Sequence, residues 1–253
     1  VEPGQGKATF GTGGMLDVVT GTEPLGSDRL GQGTFPIVAR SQAGEATWGV
    51  EAIMLSAGTA VEWLRDDLEV IASAAESDAL AASVPDGGGL TFVPALLGLG
   101  TPVWDFGARG TLLGITRGSS RAQLVHAVLE GVAQRAADLV DAAAADTGQR
   151  LEALRVDGGM SANASFLKLL AEATGLVIQR SAELEATTLG AGLMAGVATG
   201  TWSSAQEAAS TWSPAEEITP TWSDAERAGS RARWLEARSR AERSVPDLSA
   251  LDF

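Results

Sequence analysis

The sequence predicts an α/β fold, a mixed sheet with flanking helices, and three observations carry that reading. Extended runs punctuated by glycine turns crowd the first 55 residues, helix-like and strand-like runs alternate after them, and the longest helical pattern keeps its apolar residues on one face.

From Lys7 to Gly21, KATFGTGGMLDVVTG gives an extended run, a Gly-Thr-Gly-Gly turn and a second extended run, the pattern of a β-hairpin. TFPIVAR (34–40) and WGVEAIML (48–55) add strands, so three or four precede the first helix. That helix is expected from Ser56 through SAGTAVEWLRDDLEVIAS, with Val61, Leu64, Leu68 and Ile71 at helical spacing. SVPDGGG (83–89) reads as a loop, TFVPALL as a strand, and GLGTPVWDFGARG as a long turn-rich segment in which Asp105 and Arg109 are expected to pair.

Ser120 and Gln123 form a capping box for the next helix, with Leu124, Val128, Val132, Ala136 and Leu139 on one face and Gly148 as its stop. His126 falls midway along it and reads as a partly exposed or hydrogen-bonded histidine, not a catalyst. LRVDGG is a strand running into the helix SANASFLKLLAEATG, with Ser161 as the expected cap. GLVIQR is another strand, and EATTLGAGLMAGVATG a helix whose Gly190, Gly192 and Gly196 would permit close packing. About 1–200 is expected to form the core and 201–253 a peripheral helical tail. In the tail, Trp202, Trp212 and Trp222 each sit in a Thr-Trp-Ser triplet and are expected to anchor it; RAGSRARWLEARSRAER closes it as a basic, exposed helix.

Composition narrows function. With 18 Lys plus Arg against 32 Asp plus Glu, the net charge of −14 opposes binding to nucleic acid or anionic lipid. No Cys and a single His leave no zinc site of the usual spacing, so a metal would arrive with its ligand. No apolar run reaches the roughly 18 residues a membrane span needs, and cytoplasm is the default reading. The start at Val1, without Met, reads as cut.

Three short constellations can carry chemistry. In FGTGG, the Gly11-Thr12-Gly13 turn can leave backbone N–H groups and a hydroxyl facing an anion, although a tight turn alone would explain it. In VDGGM, Gly158 and Gly159 let the main chain approach a flat ligand or a phosphate, with Asn163 one turn further on. In SAGTAVEWL, Gly58 and Glu62 share a helix face.

GTLLGITRGSSRAQLVHAVLE, residues 110–130, resembles the second signature of the FGGY carbohydrate kinases: Gly110 and Gly114, then Gln123-Leu124, then Ala127-Val128-Leu129-Glu130. FGTGG, SAGTAVEWLRD, VDGGMSAN and EATTLGAGLMAG resemble further family segments in family order. The likeness covers essentially the whole chain (1–253) but only the family's C-terminal, nucleotide-binding half, and is nearest the glycerol kinases on FVPAL, WLRD, VDGGM and EATTLGA. It implies the actin-like, ribonuclease-H-like ATPase fold and ATP with Mg2+ as cofactors. It places Thr12, within Gly11–Gly13, on the terminal phosphates, Gly58 and Glu62 near the nucleotide, and Gly158, Gly159 and Asn163 around the adenosine.

Two departures stand out. Relatives often have Gln at Glu62, and glycerol kinases usually have Phe at Met15, where it packs on the polyol. The family's catalytic Asp is expected upstream of Val1, with the N-terminal lobe that supplies most polyol contacts; no Asp present is assigned as catalytic, and no residue as a metal ligand. The expected activity is phosphorylation of a polyol or sugar hydroxyl, this chain supplying the nucleotide-binding half and being inactive alone. A noncatalytic lobe used for binding or oligomerisation, or a kinase for a pentulose or another polyol, stays open. Homo-oligomerisation is also left open.

Overall fold

The computed structural model describes residues 2–42 and 44–251; Val1 lies outside them. Four strands come first: β1 Gly6–Phe10, β2 Gly14–Gly21, β3 Phe35–Gln42 and β4 Glu45–Met54. They pair antiparallel in the order β3-β4-β2-β1, and β1 then pairs in parallel with β7 (Ala153–Asp157). Beyond β7 lie β8 (Val177–Arg180), parallel, and β9 (Glu216–Ile218), antiparallel, completing a mixed seven-stranded sheet. A separate pair is made by β5 (Thr91–Val93) and β6 (Thr111–Leu113).

Alternation along the strands turns Ala8, Phe10, Leu16, Val18, Val50, Ala52, Leu154, Val156 and Ile178 into one buried face. Against it pack α3 (Arg121–Thr147) and α4 (Ala164–Thr174); Phe10 meets Phe166 edge to face at 5.1 Å. The capping box at Ser120 and Gln123 forms as expected, and Gly148 ends α3 in the left-handed conformation. A smaller apolar cluster joins Val93, Ala95, Leu99 and Ala108 to Trp234, Ala237 and Ala241 of α7 (Asp224–Ala241).

Several expectations are corrected. The helix expected over 56–73 is α1, only Gly58–Glu62, followed by a π turn over Trp63–Asp67. The wider turn throws the apolar stripe out of register: Val70 N and Ile71 N both bond back to the Leu64 carbonyl, and Leu68 is exposed. A separate helix, α2 (Ala74–Ala82), starts at Ser73, whose side chain accepts from Glu76 N. Asp105 and Arg109 do not pair: Asp105 accepts from Gly107 N, Arg243 N and Ser249 Oγ, while Arg109 donates to the carbonyls of Phe106 and Ala108. In α5 (Ala186–Ala198), Gly190 and Gly192 face open space and only Gly196 packs closely, against the Trp202 ring.

The tail is better attached than a basic, exposed helix would be. Arg155 lies over the Trp212 ring at 4.4 Å, and Trp222 N donates to the buried Glu172. Within α7, Trp234 is buried, and Arg231 and Arg238 reach Asp138 of α3 at 2.5 and 3.0 Å. No described helix is long and apolar enough to cross a membrane.

Candidate nucleotide cleft

Four stretches far apart in sequence close one cleft of about 440 Å3. They are the β1–β2 turn (Phe10, Gly11, Thr12), α1 with its π turn (Gly58, Val61, Glu62, Arg65), the first half of α2, and the turn from β7 into α4 (Gly159, Met160, Ala162, Asn163).

The first two are locked together by backbone. Ala57 N and Thr59 N donate to the Thr12 carbonyl at 2.9 and 3.2 Å, and Gly58 N donates to the Gly11 carbonyl at 2.8 Å. A Cβ on Gly58 would stand 2.6 Å from that Gly11 oxygen, so the approach admits only glycine. The turn's carbonyls are thus occupied by α1. The exposed Thr12 hydroxyl bonds to no described residue and stands at the cleft wall. Gly13 lies outside the lining and backs onto the Met54 carbonyl.

The two glycines after β7 do different work. Gly158 has φ +88°, and a Cβ there would meet the Phe10 carbonyl at 2.5 Å; it is bare so that β1 can pass behind it, and it does not line the cleft. Gly159 does line it, and an added Cβ would meet nothing within 4 Å. The main chain next forms a 3-10 turn, Gly159–Ala162, so Asn163 is itself the cap of α4, not a residue one turn in. Its Oδ1 accepts from Phe166 N at 2.8 Å and its Nδ2 donates to Ser77 Oγ at 2.9 Å, tying α4 to α2 across the cleft. Ser161, the expected cap, instead donates to the Gly158 carbonyl. Half of the Asn163 amide's bonding capacity remains for a ligand.

Charge at the cleft is modest. Glu62 is exposed, and Arg65 makes a bidentate pair with Asp66 at 2.6 Å, whose hydrogen bond holds the Asp66 carboxyl below its usual range. Asp157 is spent on structure: it accepts from Thr9 Oγ1 at 2.7 Å and Ala186 N at 3.1 Å, with Lys7 Nζ at 3.3 Å. Asp17, paired across the sheet with Lys7 and Glu51, is pushed up to about 6, by burial first and by Glu51 next, against the pull of Lys7. Met15 projects from β2, half exposed, outside the cleft lining.

Six of the residues singled out from sequence therefore share the cleft: Gly11, Thr12, Gly58, Glu62, Gly159 and Asn163. Sequence reasoning missed Arg65, Met160 and the α2 wall with Ser77 and Asp78. The Ser73–Glu76 cap was the signal for α2, hidden because Ser73 was read as the last residue of the preceding helix.

Residues 6–199 match the C-terminal domain of the FGGY family of carbohydrate kinases. The glycerol kinase of Azotobacter vinelandii is 39% identical over 247 residues, 98% of this chain and 48% of the relative. That of Gloeobacter violaceus is 44% identical over 205 residues, 81% of this chain and 41% of the relative. Among solved structures, Plasmodium falciparum glycerol kinase with ADP superposes with a TM-score of 0.86 at 27% identity, covering 95% of this chain and 47% of that one. Gluconate kinase from Lactobacillus acidophilus, TM-score 0.81 at 21% identity over 97% of this chain and 49% of that one, shares the fold. The chain spans about half the length of the curated relatives it matches, or somewhat less. The β1–β2 turn, the β7–α4 turn and the signature between them all fall within the matched residues, and the chain belongs to the FGGY family of carbohydrate kinases.

Proposed function

We propose that this chain is the nucleotide-binding half of an ATP-dependent kinase acting on a polyol or sugar hydroxyl, with glycerol as the first acceptor to try. The observation that carries this is the convergence on one cleft of the Gly11–Thr12 turn, Gly58, Glu62, Gly159 and Asn163. The Plasmodium falciparum glycerol kinase, a fold neighbour over nearly the whole chain, was solved with ADP, which supports a nucleotide as the occupant.

In this reading the nucleotide base lies against the bare backbone of Gly159, with Asn163 beside it, and the phosphates reach the Thr12 turn. Phosphoryl transfer depends chiefly on positioning and charge stabilisation, which is what a turn locked by α1 supplies. In this reading Mg2+ arrives with the nucleotide, bound to its phosphates. The base that takes the acceptor's proton is assigned outside this chain. Asp157 is consumed by Thr9, Lys7 and Ala186, and Asp17 lies outside the cleft lining.

Calorimetric titration of MgATP and MgADP tests the reading. The chain is expected to bind with a Kd of about 1 mM or below, equivalent to about 4 kcal/mol. Gly159→Asp, which the open space tolerates, is expected to abolish binding while unfolding at the same denaturant concentration. Equal binding by both forms, or none by the parent chain, would count against the assignment, and polyol phosphorylation by this chain alone would show the base to be misplaced.

A further inference from the structure

A second cavity, about 840 Å3, opens between α2, α3, α4, α7 and the loop before β5. α2 borders both spaces: Ala74, Ala75 and Ser77 face the nucleotide cleft, Ala81 and Ala82 the second groove, and Asp78 both. The groove holds the chain's single histidine, His126, nine-tenths buried and bonded to no described residue. Its Nδ1 faces Glu130 Oε2 at 3.8 Å, which favours the tautomer with the proton on Nδ1 and leaves the Nε2 lone pair as an acceptor. Glu130 is itself held from behind: Ser230 Oγ donates to its Oε1 at 3.1 Å, and Gln134 Nε2 donates to Ser230 Oγ at 3.1 Å. Burial, the largest influence, lowers the imidazole pKa and keeps the ring neutral near pH 7.

We propose that this groove binds a small, neutral, polyhydroxylated molecule, one hydroxyl donating to His126 and the carbon skeleton lying on the partly exposed indole of Trp222. The charges around the groove select for neutrality. Four carboxylates, Asp78, Asp86, Glu130 and Glu172, line the groove and would repel an anion, while Lys168 and Arg233, neither of them ion-paired among the described residues, stand beside them and oppose a bare cation. A hydroxyl group, donor and acceptor at once, can satisfy both kinds of neighbour. An indole face suits the C–H surface of a polyol and offers polar groups only at its edge. The site is separate from the nucleotide cleft and does not rest on the assignment of that cleft.

The lone imidazole gives a probe without competing signals. In 15N–1H spectra of the full chain, glycerol, xylitol or glucose is expected to move the His126 resonances saturably, with a half-point of about 1–50 mM for the best of them, weaker than most functional sites. Trp222→Ala and Glu130→Gln should each weaken that response by about tenfold; the second keeps the side chain's shape if the first perturbs folding. Gly159→Asp should leave it unchanged. Resonances that stay still, or drift linearly with no half-point and equally in all variants, would overturn the site. So would a response to inorganic phosphate or ethylammonium but to no polyol. Loss of the response in Gly159→Asp would place the ligand in the nucleotide cleft instead.

Discussion

Two alanine-rich helices of this molecule have opposite fates. More than half of the 27 residues of α3 are buried, including the charged Arg135 and Asp138, whereas none of the 13 residues of α5 is, although α5 carries no charge at all. An apolar sequence thus does not bury a helix; a facing surface does. α3 has the sheet on one side and α7 on the other, and even its ions are enclosed. Along α5, Gly190 and Gly192 face open space, and Gly196 near its end meets Trp202. The comparison also separates two kinds of glycine and two kinds of acid, and each can be tested.

The largest effect is expected at the α3–α7 clasp. Asp138 is fully enclosed and meets Arg135 at 2.6 Å, Arg231 at 2.5 Å and Arg238 at 3.0 Å, with Trp234 Nε1 at 3.2 Å. Burial would raise its carboxyl pKa, but the three guanidinium groups together outweigh burial and hold it below the usual range. Asp138→Ala would leave Arg135 buried with only the Thr101 carbonyl as partner, and is expected to cost about 3–5 kcal/mol in urea unfolding. A loss under about 1 kcal/mol would mean that α7 is held by the apolar contacts of Trp234 and Ala237 alone.

Asp17 is the opposite case, a half-buried acid whose only nearby cation among the described residues, Lys7, is shared with Asp157. Its folded-state pKa of about 6 lies above the ordinary carboxylate value, so the folded chain holds a proton that the unfolded chain releases between roughly pH 4 and 6. Asp17 therefore costs stability as pH rises through that window, and the cost stays constant above it. Asp17→Asn is expected to stabilise the protein by about 2 kcal/mol at pH 7.5 and by far less at pH 4. Denaturation midpoints of both proteins across that range check the sign; a gap independent of pH would refute it.

These contrasts also explain what the sequence disclosed and what it hid. Strand alternation, the Ser120–Gln123 box and the Gly148 stop are local, and all were legible. So were three of the four segments of the cleft, all but α2, because turns such as Gly11–Gly13 and Gly158–Gly159 announce themselves by composition. What could not be read was which partner each glycine or polar side chain meets. Gly158 serves the Phe10 backbone and Gly159 the open cleft, yet they are adjacent and identical in kind. Asn163 and Ser161 are both good caps, and the intervening 3-10 turn chose between them. The π turn after α1 shifted Leu68 outward through backbone hydrogen bonding, which no side-chain periodicity records.

The smallest effect, and the sharpest test of the helix comparison, is one substitution made twice. At Gly131 in α3 a methyl group would land on the Phe92 carbonyl oxygen. Overpacking costs typically 1–3 kcal/mol, and up to about 1 kcal/mol of helix propensity would be recovered, so Gly131→Ala is expected to destabilise by about 1–2 kcal/mol. At Gly190 in α5 the same methyl group meets nothing within 4 Å, and the backbone is ordinary helix. Only the propensity gain remains, and Gly190→Ala is expected to stabilise by about 0.5–1 kcal/mol, with Gly192→Ala alike. Opposite signs in paired urea titrations would confirm that space, not composition, divides the two helices. Destabilisation at Gly190 and Gly192 as well would mean that α5 lies against a close neighbour in solution, and the contrast between the helices would fail.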